Sequence, residues 1–475
     1  MLFTLGELET VVKPERMRGA STKITGVAAD SRDVGPGDLF VALAGERTDG
    51  HLYLDQAFAQ GASAALIRSG EDHRLSGDAA YLAVSDPLHA LGQAAAWYLS
   101  RFDVTLIGVT GSVGKTTCKD MIAGVLGQRF SVLKTPGSYN TEIGMPLTVF
   151  RLRDHHQIAV MEMGMRKPGD LQYLAELFRP SIGVLTNVRE SHLEFFGSIK
   201  NIAQAKSELF EALPPEGWAI LNGEDPWSLR IASQTPARCF FYNDSEATPN
   251  PLYATDIAGD ARERPRFKLW YPDEGFLSIR LPIAGRHHVA NALAAGACAY
   301  VLGMPGREVM HGLSGFASSE GRMEWMELES VLVLNDAYNS SPTSCRAALD
   351  VLGRVEPDRR KVAVLGTMGE LGDHAKAAHQ SIGREVAERD IEVLVTIGAM
   401  AKNIGKGALR HGFDVKNWKH YADNPAFLDD YPHILSPGDV ILIKASRACQ
   451  FETHVRALRE HYGTRVDGEE RACSR

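Results

Sequence analysis

Apolar positions along this chain alternate between short continuous runs and longer stripes spaced three and four apart. The runs, rich in β-branched residues and bounded by turn residues, read as buried strands; the stripes read as amphipathic helices. In the first hundred residues the pattern predicts strands at Ile24 to Ala28, Leu39 to Leu43 (after the turn Gly37-Asp38), Ala64 to Ile67 and Ala80 to Val84. Helices are predicted at Tyr53 to Gln60, closed by Gly61, and at Leu88 to Phe102. Further on, strands are expected at Val104 to Val109, Gln157 to Met161, Ile182 to Thr186 and Trp218 to Leu221, with helices from Lys115 and over Ile199 to Ala212. Residues 235–280 are polar and strand-rich, and the Ala-rich stretch after Gly285 opens another helix. The last part predicts strands at Val331 to Leu334, Lys361 to Gly366, Val393 to Ile397 and Asp439 to Lys444, separated by helices.

Strands and helices alternating at this spacing indicate an α/β protein with parallel sheets. A chain of 475 residues is too long for one ordinary domain, and about three is the length expectation. The pattern divides it into domains at 1–100, 101–318 and 319–475. The last is a Rossmann-type block, although no G-x-G-x-x-G follows its first strand, so a dinucleotide role is not supported.

Apolar content of 44% and charged content of 23% are ordinary globular values. A net charge of −8 argues against a general nucleic-acid binder, yet a local basic site for a small anion remains compatible with it. The six cysteines, Cys118, Cys239, Cys298, Cys345, Cys449 and Cys473, are scattered with no C-x-x-C, which suits a reducing compartment without a zinc or disulfide framework. Glu7 and Glu9 stand where a signal peptide would be basic, and no apolar run reaches membrane-spanning length. These features predict a soluble, cytoplasmic protein, expected to act as a monomer.

The chemistry concentrates at Thr110 to Thr117, where a buried strand turns through Gly111, Ser112, Val113 and Gly114 into a helix beginning Lys115-Thr116-Thr117. Glycines there let backbone N–H groups approach an anion, and the helix N-terminus adds positive potential. Lys115 is placed to reach the terminal phosphates of ATP, and the Thr116 hydroxyl to sit on Mg²⁺. The spacing departs from the usual G-x-x-x-x-G-K-[ST], since Val109 occupies the first glycine position.

Other candidates lie beyond strand ends, where open parallel sheets bind ligands. Glu162 ends its strand and suits a second Mg²⁺ contact. His192 follows the strand ending at Thr186, where a metal ligand and an ordinary solvated histidine are both open readings. By pattern Lys206 is a surface lysine of its helix, while Asp30, Ser31 and Arg32 read as a turn with a solvated arginine. The turn-rich loop Thr135 to Pro146 is long enough to be functional. No N-K-x-D marks a guanine site. An ATP cradle followed by a separate Rossmann-like block suits joining two substrates. The γ-phosphoryl is transferred to a carboxylate, an amine attacks the acyl phosphate, and closure of the third block keeps water out.

Gly111 to Thr117, the stretch Thr186 to Gly197 with His192, and Gly285-Arg286-His287 with Asn291 together resemble the signatures of the Mur ligases of peptidoglycan synthesis. The likeness covers nearly the whole chain. Asp30-Ser31-Arg32, Gly37 to Leu43, Asn335 to Asn339 and Leu365 to Gly372 are similar to the branch that joins D-alanyl-D-alanine to UDP-N-acetylmuramoyl-tripeptide. The resemblance implies that Gly111, Ser112, Gly114, Lys115, Thr116 and Thr117 hold the ATP phosphates, with Thr116 and Glu162 on one Mg²⁺ and His192 on a second. It implies catalytic roles for Lys115, Glu162, His192 and Lys206, the last as a carbamylated lysine. Asn291, Arg322 and Asp336 would contact the nucleotide, Ser31 and Arg32 the uridine nucleotide, and Asn339, Ser446 and Arg447 the acceptor dipeptide. His288, Ser341, Thr141 and Ala445 depart from the family pattern, which usually has Asn at the first three and Gly at the last. A Mur-type ligase with another amine, and a nucleotide-binding module without ligation, are the alternative readings.

Overall fold

The computed structural model describes residues 1–45, 48–244 and 250–463. Its strands fall into three large sheets and one small pair. The five-stranded sheet near the N-terminus runs Arg16–Arg18, Ala80–Val84, Ala64–Arg68, Asp38–Val41, Gly26–Ala28, with only the first strand antiparallel. The nine-stranded sheet runs Val132–Lys134, Ile158–Glu162, Thr105–Thr110, Ile182–Leu185, Trp218–Asn222, Arg238–Asn243, Leu252–Gly259, Pro265–Tyr271, Gly275–Arg280. Its first seven strands are parallel, and the last two extend it as antiparallel hairpins. The six-stranded sheet runs Glu324–Glu327, Leu332–Asp336, Val440–Lys444, Lys361–Leu365, Val393–Ile397, Trp418–Tyr421. Glu324–Glu327 is antiparallel there and the rest are parallel.

Two expectations need correction. Ile24 to Ala28 is not one strand: Lys23–Ile24 pairs with Phe3–Thr4, and Gly26–Ala28 joins the five-stranded sheet. Thr25 marks the break, its N–H donating to Gly37 O at 2.9 Å and its hydroxyl to Pro36 O at 3.0 Å. The C-terminal sheet is also not wholly parallel, because Glu324–Glu327 closes one edge in the opposite direction. The strands Val132–Lys134 and Trp418–Tyr421 escape the pattern because they lie at sheet edges, where partial exposure removes the apolar run.

Parallel strands carry the site because their C-terminal ends share one edge. Glu162 pairs with Val109, and Leu185 with Thr110, so the segments that follow these strands emerge together. The helices Lys115–Leu126 and His288–Val301 cover one face of the sheet with Cys118, Ile122, Ala292 and Ala295 in a shared core. Ile199–Glu211 covers the other through Ile202, Leu209 and Phe210. The five described cysteines are free; Cys473 lies outside the described residues. No helix among the described residues is long and apolar enough to cross a membrane.

Candidate active site

A cleft of about 1750 Å³ opens where the strand ends of the central sheet face the C-terminal sheet. The turn between Thr105–Thr110 and Lys115–Leu126 forms its floor. Gly111 has φ +151°, and a Cβ there would lie 1.9 Å from Thr186 Oγ1, so a side chain is excluded. Gly114, at φ +83°, would bring a Cβ to 3.2 Å from Asn291 Oδ1. The turn is therefore packed against the strand-end loop of 186–187 on one side and the helix of Asn291 on the other. Ser112 Oγ donates to Arg189 O at 2.9 Å, and Val113 N–H donates to Asn187 Oδ1 at 3.1 Å.

Two lysines mark this floor. Lys115 Nζ donates to Gly111 O at 2.8 Å, which curls the side chain over its own turn. Burial pushes its ammonium below the usual range, Glu162 pulls it back up, and Arg322 works against it. Lys206 is not the surface residue its helix pattern predicts. It is 1% exposed, on the face that also buries Ile202, Ala203, Leu209 and Phe210. Its Nζ makes no hydrogen bond or ion pair among the described residues, and burial, with Lys115 adding to it, holds its pKa well below 10.5. A buried amine without a partner is driven to its neutral form.

Glu162 is 2% exposed and gripped on both oxygens: Thr116 Oγ1 donates to Oε2 at 2.7 Å, and Asn140 Nδ2 to Oε1 at 2.6 Å. A buried carboxylate beside a hydroxyl is an oxygen-donor set that fits Mg²⁺. No group of three His, Cys, Asp or Glu side chains gathers at metal distance among the described residues, so Glu162 and Thr116 would be only part of a bound ion's shell. His192 adopts φ +56° and lies 2.6 Å, through Nδ1, from Glu370 Oε2 of the C-terminal sheet's loop. That contact, with Glu194 N–H donating to Glu370 O at 3.3 Å, joins the central and C-terminal sheets across the cleft. His192 chiefly holds Glu370 below the usual carboxylate range.

The far wall carries Arg322, stacked 4.2 Å from the Tyr338 ring, and Asp336, buried against Lys444 Nζ. Burial pushes Asp336 up while Lys444 pulls it down. Asn339, Ser446 and Arg447 also line this wall. Part of their bonding capacity is already used: Ser446 Oγ accepts from Gly369 N–H at 2.7 Å, and Arg447 pairs with Glu452 at 2.9 Å.

The cleft thus brings together Gly111, Ser112, Gly114, Lys115, Thr116, Thr117, Glu162, His192 and Lys206 with Asn291, Arg322, Asp336, Asn339, Ser446 and Arg447. Ser31 and Arg32 are not among its lining residues. Ser31 Oγ lies 3.3 Å from Gln56 Oε1, and Arg32, with an 80% exposed side chain, pairs with Asp30.

The departures settle locally. Ser341 caps the helix Pro342–Arg354 through a reciprocal pair with Ser344, and Thr141 Oγ1 accepts from Ile143 and Gly144 N–H at 3.4 Å. His288 lines the cleft, its Nδ1 3.2 Å from Asn291 Nδ2, so with the amide as assigned the neutral ring carries its proton on Nε2. Nε2 is buried with no partner, and burial, reinforced by His287, keeps the ring neutral. Sequence reasoning passed over Asn140, Glu370, Lys444 and Tyr338. Asn140, Tyr338 and Glu370 lie in segments already marked in the sequence, whereas Lys444 ends a predicted strand and carried no signal of its own.

A P-loop facing a second α/β domain, with a buried lysine and a paired carboxylate and threonine, defines an ATP-using ligase class, and comparison with known proteins agrees. Family models for the Mur ligase family, catalytic domain, the Mur ligase middle domain and the Mur ligase glutamate ligase domain match residues 23–98, 109–299 and 321–447. The chain belongs to the Mur ligase family. UDP-N-acetylmuramoyl-tripeptide–D-alanyl-D-alanine ligase of Bacillus subtilis (strain 168) is 38% identical over 440 residues, covering 92% of this chain and 94% of the relative. The enzyme of that name from Escherichia coli (strain K12) is 34% identical, covering 96% and 98%. Among solved structures, MurF of Acinetobacter baumannii superposes with a TM-score of 0.86 at 30% identity, covering 96% of this chain and 99% of that one. A MurF ligase of Thermotoga maritima in complex with ADP superposes at 0.79 with 28% identity, covering 93% and 98%.

Proposed function

We infer that this chain is an ATP-dependent amide ligase of peptidoglycan precursor synthesis, joining D-alanyl-D-alanine to UDP-N-acetylmuramoyl-tripeptide and releasing ADP and phosphate. The observation that carries the reading is one cleft holding the P-loop, Lys206 and the C-terminal wall, in a chain that aligns with ligases of that name over more than nine-tenths of its length.

The terminal carboxylate of the tripeptide attacks the γ-phosphorus. An O–P bond forms, the bond to the β,γ-bridging oxygen breaks, and ADP leaves. The amine of D-alanyl-D-alanine then attacks the acyl phosphate carbonyl; the C–N bond forms, phosphate departs and the amine loses a proton. Lys115, released from Gly111 O, follows negative charge onto the migrating phosphoryl. Backbone N–H groups of Gly111 to Thr117 cradle the phosphates. Thr116 and Glu162 would hold magnesium, which when bound neutralises phosphate charge and orients the γ-phosphoryl. We assign His192 to a second such ion, with Glu370 giving up its contact. Burial, with Lys115 adding to it, favours the neutral form of Lys206, the form in which an amine adds CO₂, and a carbamate there would supply an anionic oxygen donor. Asn291, Arg322 and Asp336 are assigned to the nucleotide, Asn339, Ser446 and Arg447 to the dipeptide, and Ser31 and Arg32 to the uridine end. We expect a monomer, working in the cytoplasm where ATP and the nucleotide precursor are available.

Phosphate release with purified protein, ATP, Mg²⁺ and UDP-N-acetylmuramoyl-tripeptide, with and without D-alanyl-D-alanine, tests this. Release that needs both, with a product heavier by the dipeptide less water, supports it. Release with another amine keeps the mechanism and overturns the specificity. No release with any pair leaves a nucleotide-binding module.

A further inference from the structure

Among the buried cations that the mechanism leaves unused, Lys119 stands nearest in sequence to the phosphate turn. Lys119 lies one turn beyond Lys115 on the same helix and is 1% exposed. Its Nζ donates to Thr135 O at 2.5 Å and Gly137 O at 3.0 Å, and sits 3.2 Å from Asp120 Oδ1. The ammonium's three donors thus face three acceptors, two of them carbonyls of a turn leaving the edge strand Val132–Lys134. Burying a lysine is costly, and an apolar side chain would pack there more cheaply if filling space were the only need. What the ammonium adds is a fixed position for the loop that starts at Thr135.

That loop reaches Glu162 twice. Thr135 Oγ1 accepts the Glu162 backbone N–H at 3.0 Å, and Asn140 Nδ2 donates to Glu162 Oε1 at 2.6 Å. The loop is fixed again where Gly164 N–H donates to Asn140 O at 2.8 Å. Thr116, on the same helix as Lys119, holds the other carboxylate oxygen. Asp120 extends the connection, accepting from Lys134 Nζ and from Ser319 Oγ, both at 2.7 Å, on the segment leading to Arg322.

We propose that Lys119 is a positioning residue of the ligation reaction, holding loop 135–140 so that Asn140 and Thr135 present Glu162 to the nucleotide-borne cation. The proposal rests on the magnesium role of Glu162 inferred above. Lys119 is buried and is not among the residues lining the cleft, so its effect must appear as altered metal coupling.

The test is binding of a fluorescent ADP derivative in EDTA and across a Mg²⁺ titration, with circular dichroism and a thermal melt as controls for folding. Lys119→Met should bind within about twofold of the parent in EDTA and lose about tenfold of the Mg²⁺-supported tightening, the scale for groups that orient metal ligands. Asn140→Ala should do the same, and the double variant should be no worse than either single within about twofold, since both act through one loop. Lys119→Arg should fall between. A folded Lys119→Met whose Mg²⁺ titration matches the parent, or whose affinity falls equally with and without Mg²⁺, overturns the proposal. If Lys119→Met does not fold, Asn140→Ala and the near-isosteric Thr135→Val decide, and unchanged Mg²⁺ coupling in both overturns it. A parent protein indifferent to Mg²⁺ overturns the magnesium reading and this proposal together, an outcome distinct from a responsive parent with unaffected variants.

Discussion

The cleft floor and the Asp30 to Arg32 cluster both carry polar residues after a strand, yet they use them in opposite ways. In the cluster every charge is spent locally. Asp30 caps a short 3₁₀ turn by accepting the Arg32 N–H at 3.0 Å and pairs with the exposed Arg32 guanidinium. That hydrogen bonding holds the Asp30 carboxyl at about 2, but an exposed pair of this kind is screened and contributes little. On the cleft floor two buried groups keep their capacity unspent: Lys206 has no partner among the described residues, and His288 Nε2 has none either. Unspent polar capacity in a buried place costs free energy in the resting protein, and a ligand is what recovers it. The difference separates a place where chemistry is assembled from one where a substrate end is at most held.

Breaking the floor should have the largest effect. Lys115→Ala should lower kcat by about 10³-fold, the scale for losing a preorganised charge at a transferring phosphoryl, measured by phosphate release. Near-normal turnover would remove the ATP assignment. Lys206→Ala should cost about 10²-fold in kcat. The same residue also gives a stability test. Its folded pKa lies well below 10.5, so between that value and 10.5 the unfolded chain binds a proton that the folded chain does not. Stability from this group therefore rises with pH through that window, and Lys206 destabilises the fold at neutral pH. Lys206→Met should raise the melting temperature while lowering turnover as Lys206→Ala does; a lower melting temperature would mean the amine has a stabilising partner, such as its own carbamate.

The contrast sharpens at the cluster. Arg32→Ala should raise KM for the nucleotide-peptide by about tenfold, the worth of one charge-assisted hydrogen bond, with kcat and the KM for ATP unchanged. An unchanged KM would make Arg32 the solvated arginine its sequence pattern suggests. The smallest effect is expected at His288→Leu, which removes the orphaned N–H. KM for ATP should rise about threefold if nucleotide satisfies that donor, and stay level if nothing does.

How much of this was legible varies with range in sequence. The P-loop is readable because strand, turn and helix are contiguous, and each residue's role follows from its offset in one local structure. Glu162 was legible as a strand-end acid, although its grip by Asn140, 22 residues away, was not. Lys206 was misread by pattern, because a lysine on an apolar helix face breaks the stripe and is then counted as exposed; only the family resemblance pointed to it. Glu370 could not be foreseen as the neighbour of His192, because that contact depends on two domains facing each other. The split of Ile24 to Ala28 has a local mark in Thr25-Gly26, but the sequence does not show that the two halves pair with different strands.

By itself the sequence determined the local units: the periodicity that makes parallel strands and covering helices, the glycines at Gly111 and Gly114 that admit close backbone approach, and the family to which the chain belongs. Tertiary structure decided what those units do together. It buried Lys206 and Lys119, turned Glu162 between Thr116 and Asn140, and set His192 against Glu370. The reason is physical: dihedral and pairing preferences act between near neighbours, whereas desolvation and charge coupling depend on what distant segments bring to the same few ångströms.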